Sequence, residues 1–423
     1  MKNISNYSSK IEKKIKKIQK ETKLNIRDTD IGNYFLSKKN VSEFYISAFN
    51  KTFIPSDIIK SQNLIEKFKL VYEYRNNTNV ISGYGLLNQF FTNEIQNSFF
   101  IIDENAVNNI NNEEIVKNIL SYPHKIFVEE IKAGKDLKSI ISQIKNIKID
   151  LIIGVGGGRC ADLAKFISFK TKADCVFVVT SLATHVYASP KIHALAPIKD
   201  YGYQLTIDGK TPDLSILDLE LLMQVSQTNR RLILAGFGDL MAFWTSEKDW
   251  ILSCKNNGKK IDPFVQDVID DIFNIFDEIS LEEKFSNWVR SYVLIQNQLC
   301  HITDWVGSAP ASGSEHLFAN QIEKYHKDNL PLHGELVALG VVIFSSLMNS
   351  DINKIIDLLD KFNIPRSISK IGVTKDSIIE ALMDSKSYGR FKNRYTIAEE
   401  LSYEKNEWLI LIDKLIDEKI LFI

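Results

Sequence analysis

The chain has 423 residues, a length that exceeds one compact core and suggests two domains. Its apolar fraction of 44%, its charged fraction of 25% and its net charge of -1 are those of an ordinary globular protein and indicate neither a nucleic-acid partner nor a membrane-surface partner. Four cysteines without close spacing predict neither a thiolate metal site nor a disulfide framework, and no apolar run approaches the length of a membrane span. We therefore expect a cytoplasmic protein that binds neither nucleic acid nor a membrane.

The first segment, residues 1–75, is rich in lysine, and we predict a helical N-terminal extension there. Its lysines have no aromatic residues between them, which favours a solvated helix face over a nucleic-acid arm. The pattern then changes to short apolar runs separated by helical segments. These runs are residues 79–81, 98–103, 125–128, 150–155 and 175–179. The alternation predicts an α/β domain over residues 76–227 with a doubly wound, mainly parallel sheet.

One predicted strand, residues 150–155, leads into a run of glycines and then directly into a helix. The glycines after this strand are Gly156, Gly157 and Gly158. Without Cβ atoms, glycines let backbone N–H groups close on an anion, and the helix adds its unpaired N-terminal donors. The spacing is not a clear dinucleotide fingerprint, and a P-loop would need a Lys-Ser/Thr pair after the last glycine. A tight strand-to-helix connection therefore explains the run about as well as phosphate binding does.

Charged side chains stand next to this predicted nucleotide site. Asp162 and Lys165 are spaced to share one face of the helix that follows the glycines. Asp103 ends the predicted strand 98–103, where a carboxylate can accept a hydrogen bond from a ribose hydroxyl. A helix N-cap explains Asp103 equally well.

After Asp218 the strand pattern stops and helical periodicity takes over. Apolar residues recur at helical spacing at Ile269, Ile272, Phe273 and Phe276, at Val289, Val293 and Ile295, and at Ile355, Leu358, Leu359 and Phe362. We therefore predict an all-α C-terminal domain over residues 228–423.

Three short segments of the helical half combine small residues with side chains that can bind a metal: residues 236–239, 312–316 and 332–335. One carboxylate and two imidazoles form a standard ligand set for a divalent cation that keeps a position open for water or substrate. A single histidine beside a glycine is more often a cap than a ligand. The residue types and spacing alone leave a metal site and a structural role about equally open.

Taken in order, these motifs resemble the sn-glycerol-1-phosphate dehydrogenase family. That family belongs to the superfamily of glycerol dehydrogenase, iron-containing alcohol dehydrogenases and 3-dehydroquinate synthase. The resemblance covers roughly residues 76–350 and rests on the glycine run and on residues 180–190, 236–239, 248–250, 312–316 and 333–335. It implies an N-terminal domain that binds NAD(P)(H) and a C-terminal helical domain that binds a divalent metal, with zinc expected.

The resemblance also assigns roles to individual residues. The implied metal ligands are Asp239, His316 and His333. The implied cofactor-binding residues are Asp103, Gly156, Gly157, Gly158, Asp162, Lys165, Thr180, Ser181 and Ser189. A divalent metal on a substrate hydroxyl stabilises the alkoxide that forms before hydride leaves the carbon, and the cofactor carries the redox chemistry. We also expect a homo-oligomer.

Two positions depart from the family's pattern. Family members commonly have Ser-His-Asp-Gly where this chain has Thr-His-Val-Tyr at residues 184–187, so an acidic residue is missing. They also commonly have a second histidine four residues after the first zinc histidine, where this chain has Asn320. We therefore treat His185, Tyr187 and Asn320 as candidate catalytic residues and expect a changed substrate.

The leading hypothesis is a metal-dependent NAD(P)(H) oxidoreductase that interconverts a small hydroxylated compound, with or without a phosphate group, and its carbonyl form. One alternative is a cyclase or lyase like 3-dehydroquinate synthase, which uses NAD only transiently. A net change in NADH during turnover separates these two hypotheses. A non-catalytic binding subunit is a third hypothesis, and the intact set of candidate ligands argues against it.

Overall fold

The computed structural model describes residues 79–91, 97–132, 136–193, 207–325 and 331–423. The extension predicted over residues 1–75 lies outside the described residues. The chain divides into two compact units, of which the first comprises the described part of Met1–Thr228 together with Glu282–Asp304. The second comprises Asn229–Leu281 and the described part of Trp305–Ile423. The domain boundaries from the sequence stay predictions, and the units differ from them by placing Glu282–Asp304 in the first unit.

The first unit is built on a parallel sheet. Its strands in chain order are β1 Asn79–Gly83, β2 Ser98–Ile102, β3 Lys125–Phe127, β4 Leu151–Gly156, β5 Asp174–Val179, β6 Lys191–Ile192, β7 Ile207–Asp208 and β8 Leu214–Asp218. Six of them form one sheet in the order β1-β8-β5-β4-β2-β3, with every neighbouring pair parallel. The strands β6 and β7 form a separate antiparallel pair. The predicted parallel α/β architecture is confirmed.

Helices connect the strands of this sheet. They are α1 Leu86–Phe91, α2 Glu104–Val107, α3 Glu113–Ser121, α4 Val128–Lys132, α5 Leu137–Asn146, α6 Gly158–Thr171 and α7 Leu219–Thr228. Polar side chains start two of them: Asp136 accepts from the backbone N–H groups of the first turn of α5, and Asn112 does the same for α3. Such caps satisfy N–H groups that have no partner within the helix.

The strands β2, β5 and β8 run through the core and are buried along almost their whole length, as in sheets covered on both faces. This explains why the sequence analysis missed β8. Its buried run, Leu-Ser-Ile-Leu-Asp, is too short for periodicity to distinguish a strand from a piece of helix.

Three adjacent strands bring the residues of the predicted nucleotide site to one edge of the sheet. The strand β4 lies between β2 and β5, and the strand order turns back at this point. Asp103 follows β2 and donates its backbone N–H to Val155, while Thr180 follows β5 and donates its backbone N–H to Gly156. A turn of strand order at the carboxyl ends is where open α/β sheets bind their ligands.

The second unit is helical. The remaining helices of the chain are α8 Arg230–Leu240, α9 Phe243–Asn256, α10 Pro263–Glu278, α11 Phe285–Val306, α12 Ser314–Tyr325, α13 His333–Ser345, α14 Ile352–Lys361, α15 Ile368–Ile371, α16 Lys375–Phe391, α17 Ile397–Leu401 and α18 Lys405–Asp417. Most of α11 belongs to the first unit. The prediction of a helical C-terminal half is confirmed. Among the residues that the structure describes, no helix has both the length and the apolar character needed to span a membrane.

The central helix of the second unit is α13, which is buried from Gly334 to Ser345. A helix that is apolar on all sides belongs in a core rather than on a surface. Around it, an aromatic cluster ties other helices together: the ring of Phe237 stacks on Phe362 with 4.1 Å between centroids, and Phe276 meets Phe362 edge-on at 4.9 Å. This packing holds α8, the helix that carries Asp239, against its neighbours.

Gly154 of β4 generates a prediction about stability. A Cβ at this position would lie 2.7 Å from the ring of Phe177 and 2.9 Å from Cβ of Ala164, so α6 and β5 leave it no room. We expect Gly154→Ala to lower the free energy of unfolding by about 1–3 kcal/mol, as overpacking does, in a denaturant titration. The matched control is Gly157→Ala, whose Cβ would meet only Ser181, at 3.9 Å. Equal stability of the two variants would contradict this account of β4.

Candidate active site

Three side chains from three helices of the second unit converge. Asp239 lies at the end of α8, His316 in the first turn of α12, and His333 at the start of α13. One carboxylate oxygen of Asp239 lies 3.2 Å from Nε2 of His316 and 3.7 Å from Nε2 of His333. One ligand atom from each of the three residues lies within 4.8 Å of the others. These are the three residues that the family resemblance implied as metal ligands.

Two glycines allow this convergence. A Cβ on Gly334 would lie 1.7 Å from the carbonyl oxygen of Ala235, and a Cβ on Gly238 would lie 2.2 Å from the carbonyl oxygen of Gly334. Any larger residue would force α8 and α13 apart and separate Asp239 from His333. The close helix crossing therefore explains why these two candidate ligands stand beside glycines in the sequence.

Each histidine has a carboxylate of its own on the other ring nitrogen. Nδ1 of His316 lies 2.9 Å from Glu315, and Nδ1 of His333 lies 2.8 Å from Glu323. Since an ionised carboxylate can only accept a hydrogen bond, Nδ1 carries a proton in both rings, and Nε2 is the nitrogen left to bind a metal ion. Carboxylate–histidine pairs of this kind orient metal ligands and raise their basicity.

The charges around the two histidines favour a cation. Burial lowers the pKa of His316, but hydrogen bonds and charges from Asp239 and Glu315 outweigh burial and raise that pKa to about 9. Burial likewise opposes the rise at His333, where Glu323 and Asp239 raise the pKa. A field that attracts a proton to these rings also attracts a divalent metal ion. The donor set and its charge therefore fit a metal centre.

A buried polar network around Glu315 and Asp249 holds the helix start that carries His316. The sequence analysis assigned no role to these two residues. The carboxylate of Glu315 accepts from the hydroxyl of Thr245 and from the backbone N–H of Gly313, each at 2.6 Å. Burial first, and the nearby charge of Glu315 second, raise the pKa of Asp249 to about 7. Together these contacts fix the start of α12.

Asp249 fixes the start of α12 by accepting hydrogen bonds from Ser314, the first residue of that helix. One oxygen of the Asp249 carboxylate accepts from both the backbone N–H and the hydroxyl of Ser314, at 2.6 Å in each case. The residue lies in the 248–250 stretch that carries part of the family resemblance, but only the folded chain brings it to Ser314 across more than sixty residues. No local pattern of the sequence could have assigned this role.

Asn320 lies on the same helix face as the metal cluster. It follows His316 by four residues on α12, and Glu323 follows it by three, so the three side chains share one face. Asn320 is half-buried. The spacing of seven residues between His316 and Glu323, two turns of a helix, could have shown from the sequence that Glu323 lies on the side of the candidate ligands. A neutral amide therefore lies one helical turn from a candidate metal ligand.

In the first unit, the glycine turn leaves an open cradle at Gly157. A Cβ on Gly156 would lie 2.6 Å from Cβ of Cys160 and 2.8 Å from Cβ of Asp103, so this glycine allows Asp103 to lie against the turn. At Gly158 a Cβ would meet the hydroxyl of Thr184 at 3.0 Å. Gly157 faces open space at the start of α6, and a larger side chain would fill that space. The turn fits a bound pyrophosphate.

The predicted cofactor-binding side chains around the turn also make local contacts. Asp103 caps α2 by accepting from the backbone N–H of Ala106 at 3.3 Å, which is the alternative that the sequence left open. Ser181 accepts from the N–H of Ala183, at 3.1 Å. The hydroxyl-bearing Thr180 is buried beside the turn. Their contacts with a cofactor stay predictions.

Asp162 and Lys165 share one helix face, as predicted, but they lie inside the protein. Their charged groups are 2.8 Å apart, with side-chain exposures of 3% and 0%. The ammonium of Lys165 also donates to the carbonyl oxygens of Val186 and Ser189, at 2.9 and 3.1 Å. The geometry therefore gives the pair a structural role in place of the direct cofactor contact that the resemblance implied.

Tyr187 is likewise enclosed. Its hydroxyl donates to the side-chain oxygen of Gln296 at 2.9 Å, and the phenol is 1% exposed. The catalytic role for which the sequence analysis considered Tyr187 does not fit this buried position. His185 is half-buried at the start of the 3-10 turn Val186–Ala188, and Ser189 ends that turn. On this stretch His185 stays the candidate for substrate contact.

The cluster generates a prediction about metal binding. We expect His316→Ala to lose the metal, since it removes one of three ligands, and Glu323→Gln to bind it about tenfold more weakly, since His333 loses its charged partner. Competition with a chromophoric chelator measures both affinities. The control is Lys324→Gln, an exposed position on the same helix, for which we expect no change. Full metal occupancy in His316→Ala would refute the assignment.

Comparisons with known proteins show the family to which the chain belongs. The sequence profile of the iron-containing alcohol dehydrogenase family matches residues 84–225. A glycerol-1-phosphate dehydrogenase (NAD(P)+) of Sulfolobus acidocaldarius is 30% identical over 332 residues, which cover 75% of this chain and 90% of the relative.

Solved structures share the fold. A probable glycerol dehydrogenase from Sinorhizobium meliloti 1021 superimposes with a TM-score of 0.58 at 17% identity, over 79% of this chain and 96% of that one. Glycerol dehydrogenase from Schizosaccharomyces pombe gives 0.52 at 17% identity, over 74% and 82% of the two chains. The chain belongs to the glycerol-1-phosphate dehydrogenase family, within the group of iron-containing alcohol dehydrogenases.

Proposed function

We propose that this chain is a metal-dependent NAD(P)(H) oxidoreductase that interconverts a small hydroxylated compound, with or without a phosphate group, and its carbonyl form. The observation that carries the proposal is the convergence of Asp239, His316 and His333, with Nε2 of both rings near one carboxylate oxygen. Three protein ligands leave a metal position open for a substrate oxygen. The name of the Sulfolobus relative supports NAD(P) as the cofactor.

The chain's own residues prepare the metal centre. When bound, the cation would stabilise negative charge on the substrate oxygen, and the nicotinamide would take up or give the hydride. Asp239 supplies the negative charge of the ligand set, and the two imidazoles bind as neutral ligands. Glu315 and Glu323 hold the protons on Nδ1 and fix both ring planes. We propose zinc, because two imidazoles and one carboxylate are a common catalytic zinc set.

The cofactor side rests on the glycine turn. We propose that backbone N–H groups at Gly157 and the start of α6 bind the pyrophosphate. Asp103 lies against this turn at the end of the neighbouring strand β2, where a carboxylate binds a ribose diol and repels a 2′-phosphate. We therefore propose a preference for NAD over NADP.

The substrate side differs from the family's pattern. Asn320 offers an amide where relatives commonly have an imidazole, so it can hydrogen-bond a hydroxyl but cannot exchange a proton near neutral pH. His185 keeps an imidazole, which can donate or accept a hydrogen bond. The acidic residue that relatives commonly have next to this histidine is replaced by Val186. The changes at positions 186 and 320 support a substrate other than glycerol 1-phosphate.

The last part of the proposal concerns the cellular compartment and the oligomeric state of the protein. We propose a cytoplasmic homo-oligomer, as the sequence led us to expect. Cys160, Cys175 and Cys254 are free thiols buried in the chain, which suits a reducing compartment. Sedimentation velocity measures the oligomeric state directly.

The open cradle generates a prediction about cofactor binding. We expect Gly157→Val to weaken NADH binding at least about tenfold, because the side chain would occupy the phosphate space while leaving the fold intact. Titration of NADH fluorescence measures the affinity, and circular dichroism checks that the variant is folded. Unchanged affinity in the folded variant would refute the assignment of the cradle.

The substitution at Asn320 generates a prediction about activity. With dihydroxyacetone phosphate and NADH, we expect the metal-loaded protein to give kcat/KM below about 10⁴ M⁻¹s⁻¹, the low end of ordinary enzymes. We expect Asn320→His to raise that value about tenfold by restoring one polar contact, and Asn320→Ala to give no rise.

Steady-state kinetics of the three proteins, with product analysis, check this prediction. Efficient turnover by the wild-type protein would show that the family's substrate is retained. Turnover without net loss of NADH would instead support the cyclase or lyase alternative.

A further inference from the structure

We propose that the buried pair Asp162 and Lys165 is a positioning device that fixes residues 185–193, here called the contact segment, relative to the nucleotide cradle. The contact segment carries His185, the candidate for substrate contact, and Ser189, a candidate cofactor-binding residue. The inference therefore rests on that function. It gives the pair a role in NAD(H) binding without any direct contact with the cofactor.

The ammonium of Lys165 is the first half of the device. It lies 2.9 Å from the carbonyl oxygen of Val186, 3.1 Å from that of Ser189 and 2.5 Å from that of Lys191. A carboxylate oxygen of Asp162 lies 2.8 Å away. An ammonium has only three N–H donors, so the three carbonyl oxygens occupy all of them, and the Asp162 oxygen pairs with the ammonium by charge. One side chain thus ties three points of the contact segment together.

The carboxylate of Asp162 is the second half. Its other oxygen accepts from the backbone N–H of His193 at 2.8 Å. The pair therefore holds the contact segment from Val186 to His193, over both the 3-10 turn and the short strand β6. Burying two charges is costly unless each is paired and hydrogen-bonded, as both are here. An irregular segment needs such partners, because regular secondary structure does not satisfy its carbonyl groups.

The helix that bears the pair links the contact segment to the cradle. The same helix, α6, begins at Gly158 beside the cradle and carries Asp162 and Lys165 in its next turns. Its close packing on β4 and β5 at Gly154 leaves little room for a shift. The distance between the cradle and the contact segment is therefore set by one rigid element.

Tyr187 anchors the same segment from its side chain. Its hydroxyl bonds to Gln296, and its carbonyl oxygen accepts from the hydroxyl of Ser215 at 2.6 Å. This second anchor lies outside the Asp162–Lys165 pair. Loss of the pair should therefore loosen the contact segment without unfolding the unit.

The test compares Lys165→Met and Asp162→Asn with Lys170→Met, an exposed lysine on the same helix. Hydrogen–deuterium exchange reads the mobility of the contact segment, and NADH fluorescence titration reads cofactor affinity per folded molecule. For Lys165→Met we expect faster exchange at residues 186–193, unchanged exchange at 151–158, and at least tenfold weaker NADH binding. We expect a smaller change of the same kind for Asp162→Asn and none for the control.

Two results would overturn the inference. Weaker NADH binding with unchanged exchange in the contact segment would mean that the pair touches the cofactor directly. Faster exchange throughout residues 79–228, with unchanged NADH affinity per folded molecule, would mean that the pair serves only stability. If Lys165→Met does not fold, Asp162→Asn decides by the same two readings. Wild-type protein that binds no NADH would refute the proposed function, and the exchange data would still show whether the pair fixes the segment.

Discussion

The close crossing of α8 and α13 is the constraint on which the candidate metal centre depends. Gly238 and Gly334 bring two helix backbones so near that a single added Cβ would lie 1.7 to 2.2 Å from a carbonyl oxygen. Asp239 directly follows Gly238, and His333 directly precedes Gly334. The crossing therefore sets the distance between two candidate ligands, and the third candidate, His316, comes from α12.

The structure uses buried and half-buried carboxylates to hold functional groups in place. The buried Glu315 and the half-buried Glu323 each orient one histidine of the candidate metal site, while Asp162, in the other unit, works with a buried lysine on an irregular segment. Burying these charges costs stability, which a well-packed apolar core would avoid. In turn, the carboxylates hold a proton on Nδ1 of His316 and His333, which an apolar contact could not do.

Features that depend on local pattern were predicted from the sequence, whereas features that depend on tertiary contacts were not. Apolar runs and the glycine turn predicted the parallel sheet, but the short buried strand β8 carried no distinguishing period. Helical spacing placed Asp162 and Lys165 on one face, yet only the fold shows which atoms they meet. Tyr187 likewise seemed free to act in catalysis until Gln296, more than a hundred residues away, was seen to bind it.

Anomalous diffraction at the zinc and iron absorption edges, from crystals of the metal-loaded protein, tests the central claim most directly. The account predicts one peak, about 2.0–2.2 Å from a carboxylate oxygen of Asp239 and from Nε2 of both His316 and His333. The edge at which the peak appears identifies the metal. A peak at another position, or ligation through Nδ1 of either histidine, would contradict the account.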